Sequence, residues 1–120
     1  MKSLSTVFPL CCVALLFSPV GLTNHALAAD LDSQLSAIRQ VGPAGENHAP
    51  AIKAVGALSK LQADALPDIL KAMDGANPLA KNWLFGVAGQ LADRGELPVA
   101  ELEAFLSDTQ HDGDARTWAF

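Results

Sequence analysis

The spacing of the apolar residues constrains the fold of this chain more than any other feature of its sequence. From residue 31 onward, large apolar residues recur every three or four positions, as in Leu79, Trp83, Val87 and Leu91. This spacing follows the period of helices that bury one face, and no alternating run is long enough to predict a strand. The sequence therefore predicts an all-α protein. The predicted helices span 31–41, 49–61, 65–73, 78–94, 98–108 and 113 onward.

Glycine, proline and short polar residues mark the breaks between these helices. Gly75 suits the left-handed conformation that ends many helices, and Asn77 suits the N-cap of a helix that opens at Pro78. By the same reasoning, Asp64 is expected to cap the third helix and Asp112 the last one. The connections are short, which predicts that consecutive helices are antiparallel neighbours.

Two segments of the chain repeat each other. Residues 80–85 (AKNWLF) and residues 115–120 (ARTWAF) carry similar residue types in the same order, at a spacing of 35. The preceding helices also match, since the apolar residues of 66–70 recur in 102–106 at a spacing of 36. A period in this range with two helices per unit indicates an α-solenoid. The alternative is a plain six-helix bundle in which the match is a coincidence.

A weaker copy is predicted at the start of the series, where residues 50–55 (PAIKAV) match residues 78–83 (PLAKNW) through Pro, Lys and a final apolar residue. At the other end, Phe120 stands where Phe85 stands in the preceding unit. The rest of the matching helix does not follow. We therefore expect the last repeat to be truncated and the sequence to be a fragment or the product of a shortened reading frame.

The N-terminus has the pattern of a secretory signal peptide over residues 1–28. Lys2 precedes an apolar run from Val7 to Val20, and small residues follow at 26–28 (ALA), which predicts cleavage after Ala28 or Ala29. A membrane anchor is the rival interpretation, but the run is short for a bilayer-spanning helix and contains prolines. The expected location of the protein is periplasmic or extracellular.

Signal cleavage would also change the chemistry open to the chain. Cys11 and Cys12 would leave with the leader, which excludes a c-type haem, a thiolate zinc site and a cysteine nucleophile. Loss of Lys2 would take the formal charge from −5 to −6. An acidic chain with scattered cations is poorly suited to nucleic acid or anionic lipid. We expect no stable membrane insertion after cleavage.

A family resemblance lies in AMDGANPLAKNWL, residues 72–84, followed by ELEAFLSDTQHDGDAR, residues 101–116. These stretches resemble secreted HEAT-repeat-like proteins predicted in planctomycete bacteria, and the resemblance covers roughly Val41 to the end. It implies a right-handed solenoid of HEAT-like antiparallel helix pairs over residues 29–120, after the signal peptide. The resemblance implies that longer members of that family carry further repeats and a β-rich module of carbohydrate-binding type. The resemblance supplies no catalytic residues and no cofactor.

The densest polar segment, SDTQHDGDAR, partly matches the pattern of a calcium-binding loop. Asp108, Gln110 and Asp112 would take positions 1, 3 and 5, with Gly113 at the glycine position. Position 12 would be Ala119, where a bidentate Glu is needed, so a capped turn between helices is the favoured interpretation. The two histidines after the leader, His48 and His111, are expected to be solvated loop residues and not metal ligands or catalytic groups.

The aromatic residues of the repeated segments allow two interpretations. Trp83 and Trp118, with Phe85 and Phe120, could form an exposed platform for sugar or peptide, but helical spacing favours burial in the core, most clearly for Trp83. An acidic set is expected to be a solvated face. Its members are Asp93, Glu96, Glu101 and Glu103.

These observations predict an exported helical-repeat module for protein interaction or scaffolding, without catalytic activity of its own. No catalytic, cofactor-binding or metal-binding residue is predicted, and the protein partner is unidentified. The alternative is an N-terminal accessory part of a larger exported enzyme or carbohydrate-binding protein, with the chemistry on other segments.

Overall fold

Every regular element in the part of the chain that the structure describes is a helix. A computed structural model describes the backbone of residues 22–120 and the side chains of residues 27–120. The prediction of an all-α protein is confirmed for this range. The helices are α1 Leu22–Arg39, α2 His48–Leu58, α3 Leu66–Lys71, α4 Pro78–Ala92, α5 Val99–Ser107 and α6 Gly113–Ala119. Short 3₁₀ turns at Pro43–Gly45 and Ala63–Ala65 precede α2 and α3.

One predicted helix start and one predicted cap are wrong. Helix α1 begins at Leu22 and not at residue 31, because the alanine- and leucine-containing stretch before Asp30 also favours helix. The predicted cleavage position therefore lies inside α1, whereas residues 1–21 of the predicted signal peptide lie outside the described residues. Asp64 caps no helix. It lies within the second 3₁₀ turn, and α3 starts at Leu66 without a side-chain cap.

The helices pack as consecutive pairs. Helix α1 packs against α2, α3 against α4, and α5 against α6. Neighbouring pairs meet through α4, which contacts both α1 and α2, and through α3, which contacts both α5 and α6. Among the described residues, no helix is long and apolar enough to cross a membrane.

One apolar core runs through all three pairs. Its largest fully buried side chains come from α1 to α4, and Phe105 of α5 and Ala115 of α6 extend it into the third pair. Burying a side chain of this size contributes about 1.5–3 kcal/mol, and no buried polar or charged residue interrupts the described core. The inward positions of α1 and α3 share the spacing of 35 residues. Leu31, Leu35 and Ile38 of α1 correspond to Leu66 and Leu70 of α3 and to Met73 in the turn that follows it.

The predicted alignment of the first pair is wrong. The match of residues 50–55 with 78–83 equates inward positions of α2 with outward positions of α4. Buried Ala51, Ala54 and Leu58 would fall on exposed Leu79, Asn82 and Gly86. The alignment depended on Pro and Lys, which are surface residues in helices, and not on the buried face. In the later pairs the spacing of 35 does equate buried Ala80 with buried Ala115.

Candidate interaction surface and the polar turns beside it

The turn between α3 and α4 is built from local sequence signals. Gly75 has φ +69°, in the left-handed region that glycine enters without steric cost. Asn77 is extended, and its side-chain oxygen accepts a hydrogen bond from the Ala80 N–H at 2.9 Å. Pro78 then opens α4, where a missing N–H loses no helical partner. The cap predicted for Asn77 and the left-handed conformation predicted for Gly75 are confirmed, but α3 ends earlier, with Ala72 as its C-cap, so Gly75 lies in the turn and does not cap the helix.

The same turn is bonded to the first helix pair. The Asn77 side-chain amide donates to the Val41 carbonyl at 2.8 Å, and Arg39 Nη2 donates to the Asp74 carbonyl at 3.0 Å. Val41 is fully buried two residues beyond the end of α1, so its carbonyl needs a partner from within the protein. These bonds join residues 35 and 36 positions apart in the chain.

On its other side, the turn is bonded to the third helix pair through the Asp74 carboxylate. Asp74 Oδ1 accepts from the Asp112 N–H at 2.7 Å, and His111 Nδ1 lies 2.7 Å from Asp74 Oδ2. The His111 ring stacks on Phe105, with centroids 4.3 Å apart and planes 14° apart. The prediction that His111 is a solvated loop residue is therefore wrong: its side chain is only 20% exposed.

A lysine–aspartate pair completes the contact between the second and third pairs. Lys81 Nζ lies 2.5 Å from Asp112 Oδ2 and 3.3 Å from Asp114 Oδ2. Asp112 Oδ1 also accepts from the backbone N–H groups of Asp114 and Ala115, so the predicted cap of the last helix is confirmed. The hydrogen bond from Lys81 lowers the pKa of Asp112, and the same bond raises the pKa of Lys81.

We call this set of bonded residues the turn network. It consists of Arg39, Asp74, Asn77, Lys81, His111 and Asp112. Its geometry is that of a connection between elements and not of a reaction centre. His111 has a carboxylate on Nδ1, as an oriented general base would, but its Nε2 faces Asp108 at 3.6 Å and not a hydroxyl or thiol.

The residues tested as a calcium loop serve the turn in other ways. Asp108 Oδ1 accepts from the Gln110 N–H at 2.9 Å, and Asp112 caps α6. Over the described range, no three His, Cys, Asp or Glu side chains are grouped as metal ligands.

The remaining histidine and the aromatic residues occupy intermediate positions. His48 begins α2 and contacts Trp83, with ring centroids 5.2 Å apart, so the prediction of a solvated loop residue is wrong here too. Trp83 and Trp118 are both half-buried and pack against the core. Phe120 differs from its counterpart Phe85, since it is 96% exposed while Phe85 is half-buried.

Three grooves cross the surface formed by the first helices of the pairs. The α1–α3 groove has a volume of about 490 Å³, and the α3–α5 groove about 290 Å³. Lys71 lines both of these, and His111 of the turn network lines the second. The N-terminal groove, of about 300 Å³, lies between α1, the end of α2 and the start of α3. Its lining includes Leu31, Leu58, Leu61, Asp64 and Asp68.

Sequence reasoning identified neither the turn network nor these grooves. The only signal was the run of polar residues in the α5–α6 turn, which predicted a capped turn between helices. The four acidic residues predicted as a solvated face are all exposed. Comparison of the chain with protein-family models, with curated proteins and with solved structures gave no match in any of the three.

Proposed function

We propose that this chain is an exported helical-repeat module for protein interaction or scaffolding, with no catalytic activity of its own. The observation that carries the proposal is the α3–α4 turn, which is hydrogen-bonded to the first pair through Asn77 and to the third through Asp74. Bonds on both sides hold three helix pairs in a fixed arrangement. A fixed row of pairs presents an extended surface of the kind that repeat proteins use for binding.

The proposed architecture is a short right-handed α-solenoid of HEAT-like pairs. The shared spacing of 35 residues between the buried positions of α1 and α3 supports it, as does the spacing of 36 that relates buried Leu66 and Ile69 to Leu102 and Phe105. The consecutive pairing of helices also supports it, because each pair packs mainly against its neighbours.

The proposed location is the periplasm or the extracellular space. Support comes from the sequence of residues 1–28, with Lys2, the apolar run Val7–Val20 and the small residues at 26–28. The alternative, an accessory part of a larger exported enzyme or carbohydrate-binding protein, stays a prediction.

Export is tested by expressing the full sequence in a bacterium and determining the N-terminus of the recovered protein. We expect a chain that begins at Ala29 or Asp30 in the periplasmic or culture fraction. An intact N-terminus on protein recovered only from the cytoplasm would contradict this part of the proposal.

Binding is tested by placing a photo-crosslinking residue at Lys71, which lines two grooves, and in a separate variant at Asn82, an exposed position on α4. We expect a discrete crosslinked partner from position 71 and none from position 82. Equal labelling from both positions, or none from position 71, would contradict binding through this surface.

A further inference from the structure

The N-terminal groove combines an apolar floor with an acidic rim. Leu31, Ala57, Leu58, Leu61 and Ala65 provide the apolar part of the lining. The volume of about 300 Å³ is at the lower limit of pockets that hold small ligands, which suits one or two apolar side chains of a partner. The groove is open to solvent along one side of α1, so a segment of another chain can reach it.

All of the charged side chains that line this groove are acidic. Asp30, Asp64 and Asp68 line it, and no lysine or arginine does. The nearest cation bonded to the rim is Lys71, whose Nζ lies 4.0 Å from Asp68 Oδ1, with both side chains about half exposed. The other two grooves differ, because each includes at least one basic residue in its lining.

We infer that the N-terminal groove binds a cationic amphipathic segment of a protein partner. An apolar side chain of the segment enters between α1 and α2, and flanking Lys or Arg residues face the three rim aspartates. This arrangement is the usual way in which an amphipathic segment enters a groove, with apolar anchors for affinity and charges for orientation. The inference rests on the proposed binding function and names the chemistry of the partner.

Most of the groove lining lies outside the predicted leader. Leu27 and Ala28 are the only lining residues that cleavage after Ala28 would remove, and Leu27 is 68% exposed at the lip. The three rim aspartates remain in the processed chain, and the new α-ammonium at residue 29 or 30 lies next to Asp30 and offsets part of its charge. Removal of the two lip residues would widen access to Leu31 and Leu61.

The probe is a fluorescently labelled amphipathic peptide of leucine and lysine, measured by anisotropy with the purified processed protein. A peptide with glutamate in place of lysine and one with serine in place of leucine are the matched ligand controls. We expect binding of the first peptide only, weakening as salt rises above about 0.1 M because the rim is exposed.

The decisive variant replaces the rim aspartates together as Asp30→Asn, Asp64→Asn and Asp68→Asn. We expect affinity to fall about tenfold at low salt, as three exposed ion pairs are lost. The control variant removes the same number of charges elsewhere, as Asp93→Asn, Glu96→Gln and Glu103→Gln, and should stay within about twofold of wild type. Circular dichroism checks that both variants keep their helices.

A second variant, Ala57→Gln, tests the apolar part of the groove. It places a longer polar side chain on the wall while keeping a good helix former, and should also weaken binding. If the rim and control variants weaken binding equally, attraction reflects net charge alone and the inference is wrong. The inference is also wrong if the wild-type protein does not bind the lysine peptide.

The crosslinking experiment separates the two proposals. If the crosslinking residue at position 71 captures a partner equally in the wild-type and rim-variant backgrounds, the groove inference fails and the binding function stands. If the crosslinking residue at position 71 captures nothing while the peptide still binds in the groove, the proposed function fails as stated. The inference that the groove binds cationic amphipathic segments then stands.

Discussion

Substitution of Asn77 by alanine should destabilise the protein more than any other single change of an exposed polar residue in the turns. Asn77 makes two bonds with different roles: it caps α4 through Ala80 and joins the first pair through Val41. Loss of an Asn cap costs about 1 kcal/mol. Loss of the amide donor to Val41 costs about another 1 kcal/mol, and more if the carbonyl is left without a partner.

The expected total is therefore about 2 kcal/mol of the free energy of unfolding. For a domain of this size that loss corresponds to a fall in Tm of roughly 8–16 °C. Urea unfolding followed by far-ultraviolet circular dichroism measures it, provided the m-value stays unchanged.

Two further variants divide this loss between the two bonds. Asn77→Ser keeps a hydroxyl oxygen for the cap but removes the amide donor to Val41, so it should lose about 1 kcal/mol. Asn82→Ala is the matched control, because residue 82 is exposed within the same helix; it should be neutral or gain up to about 0.5 kcal/mol from helix propensity. A loss below about 0.5 kcal/mol for Asn77→Ala would refute the role given to this turn.

Three other predictions concern the turns and the core. The hydrogen bond between Lys81 and Asp112 lowers the pKa of Asp112 and raises the pKa of Lys81, so the pair should stabilise the fold from above the ordinary aspartate pKa to below the ordinary lysine pKa. The Tm deficit of Lys81→Met should therefore be largest between about pH 5 and about pH 9 and shrink at both extremes. A deficit independent of pH would contradict the pairing. Ser59→Ala should raise the free energy of unfolding by about 1 kcal/mol in urea titration, because the Ser59 hydroxyl is buried without a hydrogen-bond partner among the described residues; a destabilised variant would show that the hydroxyl has one. Gly75→Ala should lower the free energy of unfolding by about 1 kcal/mol through its positive φ alone, because an added Cβ would meet no atom closer than Arg39 Nη2 at 3.9 Å. Asparagine tolerates this conformation better, so thermal unfolding of Gly75→Asn should show a smaller loss. Equal losses would argue against a conformational cause.

The sequence predicted those features that depend on neighbouring residues. The start of α4 was correct because Asn77, Pro78 and the apolar face lie within a few positions of one another. The last cap was correct for the same reason. The start of α1 was wrong because a leader pattern and a helical pattern overlap before Asp30, and composition alone does not separate them.

The sequence did not predict the contacts that join distant turns. The local sequence predicts that Asp74 is an ordinary polar turn residue, because its partners His111 and Asp112 lie 37 and 38 positions later in the chain. The local sequence also predicts a solvated His111, because it does not show that Phe105 stacks on the imidazole ring. The grooves depend on the relative placement of three helices, which apolar spacing does not determine.

The position of the turn network has a mechanical consequence. In the described residues, the side-chain hydrogen bonds between helix pairs lie at the α1–α2, α3–α4 and α5–α6 turns, and the opposite ends of the pairs meet through apolar packing. Because hydrogen bonds are directional, they fix how neighbouring pairs are placed relative to one another at that end. The N-terminal groove, with Leu61 and Asp64 in its lining, lies at the other end, where apolar packing between helices sets its width.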